Sequence, residues 1–120
     1  MFSNHTKGWV IKSVNYSVAS MTNGYNTDSG NIATNGDDQL LRHVIGVICS
    51  DHTANVRTQI NVQSKKILDI DNSSFSPTAG PLDLDYTINP GQYLDIQPLN
   101  ASGGTISNAS WTIFYEVLNI

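Results

Sequence analysis

The sequence has few charged residues and almost no glutamate. Charged residues make up 13% of the chain, against a usual share of about 25% in soluble domains. There are four lysines, and Glu116 is the single glutamate. Helix surfaces use Glu, Lys, Gln and Arg because straight side chains lose little rotamer freedom in a helix. Since Asn, Ser and Thr supply the polarity instead, with 36 of the 120 residues, we expect almost no helix.

Basic clusters and long apolar segments are also missing. The formal net charge is -4 and Lys65-Lys66 is the one adjacent basic pair, so the positive field that a phosphate backbone requires is absent. No run approaches the roughly 18 apolar residues of a membrane span, and residues 1–10 have no apolar signal-peptide core. We therefore expect no nucleic-acid partner and no membrane partner. We also expect a mature chain that starts near Met1, in the compartment of its synthesis.

Cysteine occurs once, as Cys49. A single cysteine excludes an intrachain disulfide and a Cys-x-x-Cys metal site. It lies in the apolar run HVIGVICS, whereas a reactive thiol needs an electropositive and accessible setting. We therefore interpret Cys49 as a small buried hydrophobic residue, with a reactive thiol as the alternative.

Alternation of apolar and polar residues predicts β-strands along most of the chain. In residues 56–63 the alternation is strict, so every second residue faces the core of a half-buried strand. Residues 82–88 repeat the pattern, with Asp83 and Asp85 facing outward. The inward residues of these two strands are Val56, Thr58, Ile60, Val62, Leu82, Leu84, Tyr86 and Ile88.

Five further strands are less regular. They are predicted at residues 9–18, 41–49, 67–70, 93–97 and 110–118. Lys12 interrupts the apolar face of the first and is expected at a sheet edge, and Gly46 in the second indicates a bulge or a close backbone approach. Pro98 is expected to end the fourth strand. In the last strand Phe114 and Leu118 lie on the face opposite the core, which leaves that face for another chain.

Turn signals separate these strands. Asn89-Pro90-Gly91-Gln92 fits a type II turn, because proline presets φ at the second position and glycine accepts a positive φ at the third. The strands on either side of it are expected to form a hairpin or a tight corner. Residues 21–39 contain two Asn-Gly pairs and predict a long polar loop or hairpin, where we expect contact with a partner.

The strand count and the missing helical window together predict the fold class. We expect an all-β protein, a single antiparallel β-sandwich of jelly-roll type with about seven to eight strands over residues 1–120. Residues 1–8 precede the first strand. We expect them to form an N-terminal contact arm that has no packing role of its own.

No set of side chains predicts catalysis or metal binding. Asp83 and Asp85 share one strand face, as paired catalytic acids would, but they are interpreted as a solvated face that prevents wrong strand pairing. His43 and His52 lie at opposite ends of one strand, roughly 30 Å apart at about 3.3 Å per residue, so they cannot share a metal within one chain. Ser50-Asp51-His52 is interpreted as a turn, because adjacent strand residues point apart. We therefore expect no enzyme activity, no cofactor and no metal.

From His43 onward, the order of strands and turns has a counterpart among known proteins. The segments are HVIGVICS, RTQINVQ, KILDI, LDLDYTI, the corner NPGQ, YLDIQPL and the closing strand SWTIFYEV. In this order, residues 43–118 resemble small virion structural proteins of tailed bacteriophages, whereas residues 21–39 have no counterpart there. The resemblance implies a single jelly-roll or immunoglobulin-like sandwich that trimerises on capsids as a decoration or cement protein, or that sits in head fibres and tail parts.

The resemblance and the absence of a catalytic set predict a capsid decoration or cement protein that binds the outside of a phage head lattice and stabilises it. The expected partners are further copies in a homotrimer and the major capsid protein or another virion protein. The expected location is the virion, assembled in the host cytoplasm. The residues expected at these contacts are Phe2, Trp9, Tyr25, Phe114 and Leu118. The alternative is a receptor- or glycan-binding module of a tail or head fibre, because exposed Trp and Tyr beside Asn and Asp are typical of sugar-binding faces.

Overall fold

The structure is a computed structural model that describes residues 2–26, 29, 36–75 and 80–118. Within these ranges it contains eight β-strands and one 3-10 turn, and no α-helix. The strands are β1 (Trp9–Met21), β2 (Gly24–Tyr25), β3 (Arg42–Cys49), β4 (Val56–Val62), β5 (Lys65–Asp71), β6 (Leu82–Ile88), β7 (Leu94–Asn100) and β8 (Ile106–Leu118). The turn spans Asn72–Ser74. The expectation of almost no helix is confirmed for this part of the chain.

The strands form two antiparallel sheets of four strands each. Sheet 1 has the order β1-β8-β3-β6, and sheet 2 has the order β2-β7-β4-β5. Among the described strands, only β4 and β5 are neighbours both in sequence and in a sheet, since every other connection crosses from one sheet to the other. This strand order is that of a jelly roll. The predicted antiparallel β-sandwich of jelly-roll type is therefore confirmed.

The core lies between the two sheets and consists of every second residue of the strands. In β4 and β6 the residues predicted to face inward do so, with Val56, Ile60 and Ile88 completely buried. The buried core residues are Met21, Val44, Val47, Cys49, Val56, Ile60, Val62, Phe75, Ile88, Leu94, Ile96, Ala109, Trp111, Ile113, Tyr115 and Val117. The alternation therefore assigned the faces of these two strands correctly.

The first and last strands are longer than the alternation predicts. They pair along their whole length, from Trp9 with Leu118 to Met21 with Ile106. Backbone pairing does not require apolar side chains, so the ladder continues into segments rich in Ser and Asn where the pattern fades. Met21 thus belongs to β1, and part of the polar segment 21–39 forms β2. Residues 27, 28 and 30–35 of that segment lie outside the described residues.

The segment Asn89–Gln92 forms the predicted type II turn. Gly91 has a φ of 81°, and the Gln92 N–H donates to the carbonyl oxygen of Asn89 at 3.1 Å. The turn joins β6 of sheet 1 to β7 of sheet 2. Of the two predicted alternatives, it is therefore the tight corner and not the hairpin.

The prediction that Pro98 ends its strand is wrong, because β7 continues through Pro98 to Asn100. The Pro98 carbonyl accepts from the N–H of Asn26 at 3.0 Å, one residue after the two-residue strand β2 ends. N–H and C=O groups of one residue point to the same side of a strand. The N–H that proline lacks would therefore face Asn26, just beyond the last residue of β2, and not the long strand β4 on the other side.

Candidate functional site

Residues 2–8, which we call the N-terminal arm, lie on the outer face of sheet 1. The ring of Phe2 packs against Phe114 of β8, with ring centroids 4.8 Å apart. The same ring fills a notch above Gly46 of β3, where a Cβ atom would lie 2.6 Å from Cε1 of Phe2. The ladders of β3 with both neighbours shift register between Val44 and Gly46. The predicted bulge at Gly46 is confirmed, and the close approach comes from the arm.

Two further arm residues contact β6. Nδ2 of Asn4 donates to the carbonyl oxygen of Leu84 at 2.8 Å, and Oγ of Ser3 donates to the carboxylate of Asp83. With the seated ring of Phe2, these contacts fix the arm along the sheet. The expectation that the arm has no packing role of its own is therefore wrong.

Glu116 of β8 anchors the middle of the arm. Its side chain is completely buried. The backbone N–H of Thr6 donates to both carboxylate oxygens, at 2.9 and 2.8 Å, and Nδ1 of His5 lies 2.5 Å from Oε2. Burying an ionised carboxylate is costly unless it is paired and hydrogen-bonded, and the arm provides hydrogen bonds to it. The only glutamate of the chain therefore holds the arm on the sheet.

His43 of β3 completes the cluster. Its Nδ1 lies 2.8 Å from Oε1 of Glu116, and its Nε2 lies 2.5 Å from Oδ1 of Asp85 on β6. Burial alone would raise the pKa of Glu116, but the bonds from His43, Thr6 and His5 outweigh it and lower that pKa to about 2. Burial likewise opposes the charge on His43, yet Glu116 and Asp85 raise its pKa above the ordinary value of 6.5. Two carboxylates and two imidazoles thus connect the arm, β8, β3 and β6.

The interpretation of Asp83 and Asp85 as a solvated face is incomplete. Both are exposed, and the side chain of Asp85 is 71% accessible. Each nevertheless bonds a residue on another element, Asp83 through Ser3 and Asp85 through His43. The two carboxylates therefore help to position the arm.

A second feature is an apolar groove at one end of the sandwich. We call it the end patch, and it is lined by Trp9, Leu40, Leu41, Val117 and Leu118. The three leucines are exposed, at 46% for Leu40, 44% for Leu41 and 53% for Leu118. Exposed apolar groups that cluster in this way are typical of interaction surfaces, whereas isolated ones are ordinary.

Buried charges hold the segment that carries the two adjacent leucines of the end patch. Asp37 accepts from Nζ of Lys12 and from the hydroxyl of Tyr115, each at 2.9 Å. Burial raises the pKa of Asp37, but these bonds and the charges of Lys12 and Arg42 outweigh it, so the net shift is downward. β1 is an edge strand. The prediction that Lys12 lies at a sheet edge is therefore confirmed.

Arg42 supports the same segment from inside the protein. Its side chain is completely buried, and its guanidinium donates to the carbonyl oxygens of Leu40, Asn89 and Gln92 at 3.2, 3.1 and 2.9 Å. These bonds connect the segment before β3 to the β6–β7 corner. These bonds therefore hold the segment with the exposed Leu40 and Leu41 in place.

The five residues predicted at partner contacts lie in three places. Phe2 and Phe114 pack against each other between the arm and β8, and both are half-buried. Trp9 and Leu118 pair across the end of the β1–β8 ladder and line the end patch. Tyr25 lies on β2 and is 64% exposed. Their role at a partner interface stays a prediction.

Sequence reasoning missed Leu40, Leu41 and the cluster around Glu116. The adjacent leucines were a visible signal, because they follow a polar segment and precede the buried strand. The single glutamate of a chain that otherwise avoids glutamate was another. Its partners, Thr6 and His5, lie 110 and 111 positions away in sequence, so spacing rules could not find them.

The residues weighed for catalysis have structural roles. Cys49 is buried and desolvation raises the pKa of its thiol to about 11, which agrees with the interpretation as a small hydrophobic residue. In Ser50-Asp51-His52, Asp51 accepts from the hydroxyl of Thr53 at 2.7 Å and from Nδ2 of Asn72 at 3.0 Å. Nε2 of His52 lies 3.0 Å from the carbonyl oxygen of Cys49. The segment is therefore a hydrogen-bonded loop after β3 and not the predicted turn, since the turn before β4 lies at Ala54 and Asn55.

Across the described ranges, no group of three or more His, Cys, Asp or Glu side chains has an arrangement that could hold a metal ion. In the same ranges, no helix has the length and apolar character needed to cross a membrane.

The chain was compared with protein families, curated proteins and solved structures. No protein-family model matches the chain, and no curated protein matches it. Among solved structures, the chain is similar to the nucleoplasmin-like N-terminal domain of Drosophila FKBP39, with 9% identity and a TM-score of 0.49 over 97% of this chain and 95% of that one. A likeness at this level assigns no function to the chain.

Proposed function

We propose that this chain is a structural protein of a virion, a capsid decoration or cement protein that assembles as a homotrimer and binds the outside of a phage head lattice. The observation that supports this proposal is the end patch, an exposed apolar groove at one end of the jelly roll. The arm of the same chain packs on the outer face of sheet 1. A protein with this function works by burying surface against copies of itself and a lattice.

The size of the end patch suits a contact that is modest in each copy. Burying a whole leucine side chain contributes about 1.5–3 kcal/mol. Because Leu40, Leu41 and Leu118 are each about half exposed, covering them contributes about 1 kcal/mol apiece, or roughly a hundredfold in affinity for the three together. Many such contacts on a repeating lattice strengthen one another, because each additional attachment is effectively intramolecular.

The position of the contact differs from the one that the sequence suggested. The sequence predicted contacts at Phe2 in the arm and at Trp9, the residue that follows the arm. Since Phe2 is seated on Phe114 and above Gly46, we now assign the contacts with further copies and with the lattice to the end patch, which retains Trp9 and Leu118. Leu40 and Leu41 are added to it.

A paired substitution tests this proposal. In Leu40→Asp/Leu118→Asp, two exposed leucines of the end patch carry charge, whereas the control Tyr93→Asp changes a residue of similar exposure, 52%, on the β6–β7 corner. Light scattering should give three times the 13.1 kDa chain mass for the wild type and the control, and one chain mass for the double variant. Sedimentation with virus particles that lack the protein should recover the wild type and the control only.

Two results would contradict the proposal. One is a wild-type protein that stays monomeric and does not sediment with particles. The other is a double variant that assembles and binds as well as the wild type, which would place the contact elsewhere. Circular dichroism and thermal unfolding of each variant show whether the fold is intact.

Glycan binding is the second candidate, and the exposure of Tyr25 favours it. Its ring is 64% exposed on the short strand β2, next to Asn26, and exposed aromatic rings beside amides are what sugar faces use. Glycan-array binding that is lost in Tyr25→Ala or Trp9→Ala but kept in Tyr93→Ala would favour this candidate over lattice binding. An array without binding to any glycan would exclude the sugars that it carries.

A further inference from the structure

His43 of β3 lies between two carboxylates on sheet 1, and one of them, Glu116, anchors the arm. Both ring nitrogens of His43 are engaged, Nδ1 with Glu116 at 2.8 Å and Nε2 with Asp85 at 2.5 Å. Ionised carboxylates only accept hydrogen bonds, so both nitrogens can donate only when the imidazole carries two protons. The geometry therefore requires a positively charged His43.

The arm makes that positive charge necessary. Thr6 and His5 close over Glu116 and leave its carboxylate completely buried. An ionised group in such a place needs a partner of opposite charge, because removing one member of a buried pair leaves an uncompensated charge. Docking of the arm and protonation of His43 therefore favour each other.

The groups that face His43 come from three elements. Glu116 faces it from β8, Asp85 from β6, and His5 of the arm approaches from the other side of Glu116. β1 places Ile11, which does not titrate, opposite Glu116 in the ladder. Both carboxylates favour the charged imidazole.

We propose that the N-terminal arm is a pH-dependent clasp, held on sheet 1 while His43 is protonated and released when His43 loses its proton. Release exposes Phe114 and the notch at Gly46, and it frees Phe2. The proposal goes beyond virion assembly and does not depend on it.

The sign of the pH dependence follows from the two shifts. In the folded protein with the arm docked, the pKa of His43 is raised from 6.5, so the stabilising contribution of this cluster is complete below pH 6.5 and is lost as pH rises through the raised value. The pKa of Glu116 is lowered from 4.5 to about 2, so its contribution is complete above pH 4.5 and is lost as pH falls towards 2. The clasp is therefore strongest between pH 4.5 and 6.5 and opens on the alkaline side.

The remaining contacts of the arm allow it to leave without unfolding the sandwich. Asn4 and Ser3 hydrogen-bond to β6 at the edge of sheet 1, and Phe2 lies in a surface notch. The arm joins β1 through Gly8, which has a φ of 88°, in a conformation that favours glycine. The core between the sheets includes no residue of the arm.

The test uses NMR on the full-length labelled protein from pH 5.5 to pH 9. The readout is the protection factor of the Thr6 amide, which corrects for the faster intrinsic exchange at high pH, together with the titration of the His43 ring. We expect Thr6 protection to fall by about tenfold for each unit by which docking raises the pKa of His43, with its midpoint at the titration of that ring. Constant protection across this range would overturn the proposal.

Three variants assign the effect to His43. His43→Gln removes the titrating imidazole, so the alkaline fall in Thr6 protection should disappear. The control His52→Gln, in the loop after β3, should behave like the wild type. Asp85→Asn changes an exposed side chain and should keep the fold even if His43→Gln does not. Because it removes a carboxylate that favours the imidazolium, the midpoint should move to lower pH. An unmoved midpoint in Asp85→Asn, or an unchanged fall in a folded His43→Gln, would contradict the proposal.

Discussion

Gly46→Ala should displace the arm, and the size of its effect can be worked from the notch that holds Phe2. A Cβ at position 46 would lie 2.6 and 2.9 Å from Cε1 and Cδ1 of Phe2, and 3.3 Å from the carbonyl oxygen of Leu82. The two shortest contacts are to a ring that can swing away, so the ring leaves the notch and the strand stays in place. The alanine therefore removes most of what Phe2 contributes to the free energy of unfolding.

That contribution has two parts. Full burial of a Phe side chain contributes about 1.5–3 kcal/mol, and an aromatic pair adds about 0.5–1.5 kcal/mol. Phe2 is half-buried and packs against Phe114. We therefore expect Gly46→Ala and Phe2→Ala each to lower the free energy of unfolding by about 2 kcal/mol.

The two substitutions together form a double-mutant cycle. In the Phe2→Ala background the two shortest contacts at position 46 are gone, and the tight contact with the Leu82 carbonyl offsets the roughly 0.5–1 kcal/mol by which alanine in a strand is favoured over glycine. Gly46→Ala should therefore become close to neutral there, with a coupling of about 2 kcal/mol. Urea unfolding followed by tryptophan fluorescence measures all four proteins. Costs that simply add would refute the assignment of Phe2 to the Gly46 notch.

Four further predictions concern the core, the arm, the segment before β3 and the pKa shifts. Ile60→Asp should unfold the domain, since an unpaired carboxylate in the core costs several kcal/mol; a natively folded variant by NMR would show that the register of β4 is wrong by one residue. Thr6→Pro removes the N–H that bonds Glu116 and should lower urea stability by about 1–3 kcal/mol, whereas Thr6→Ser should cost little; equal effects would exclude the backbone bond as the cause. Arg42→Met leaves three carbonyls without their donor and should lower the melting temperature, with a loss of about 3 kcal/mol; an unchanged melting temperature would contradict its structural role. The urea midpoint should be highest between pH 4.5 and 6.5 and fall on both sides because of His43 and Glu116, and Glu116→Gln should flatten this profile; an identical profile in Glu116→Gln would assign the pH dependence to other groups.

The strands of the core could be predicted because their pattern reflects local geometry. In a strand with one buried face, apolar and polar residues alternate. The alternation from Val56 to Val62 therefore indicated both the strand and the face that is buried. The turn at Pro90-Gly91 was predictable for a similar reason, since few residue types accept its dihedral angles. Whether that turn made a hairpin or a corner depended on the sheet that each strand joins, which local pattern does not specify.

The arm and its anchor could not be predicted, because their contacts join distant parts of the chain. Residues 2–8 have no apolar period, and their contacts, among them those of one ring, one amide and one backbone N–H, meet partners on β3, β6 and β8. Phe114 was placed correctly on the outer face of the last strand, the face that also carries Glu116. That face was expected to meet another chain, and at Phe114 and Glu116 the arm of the same chain packs against it. The prediction that Pro98 ends its strand failed for a comparable reason. β7 accepts a proline there because the neighbouring strand β2 is only two residues long.

The most direct test of the proposed function is a cryo-electron microscopy reconstruction of intact virus particles that contain this chain. The account predicts trimeric jelly-roll density on the outside of the head, with Leu40, Leu41 and Leu118 of the end patch buried against another chain. Particles without such density, or density in which the end patch faces solvent, would contradict it.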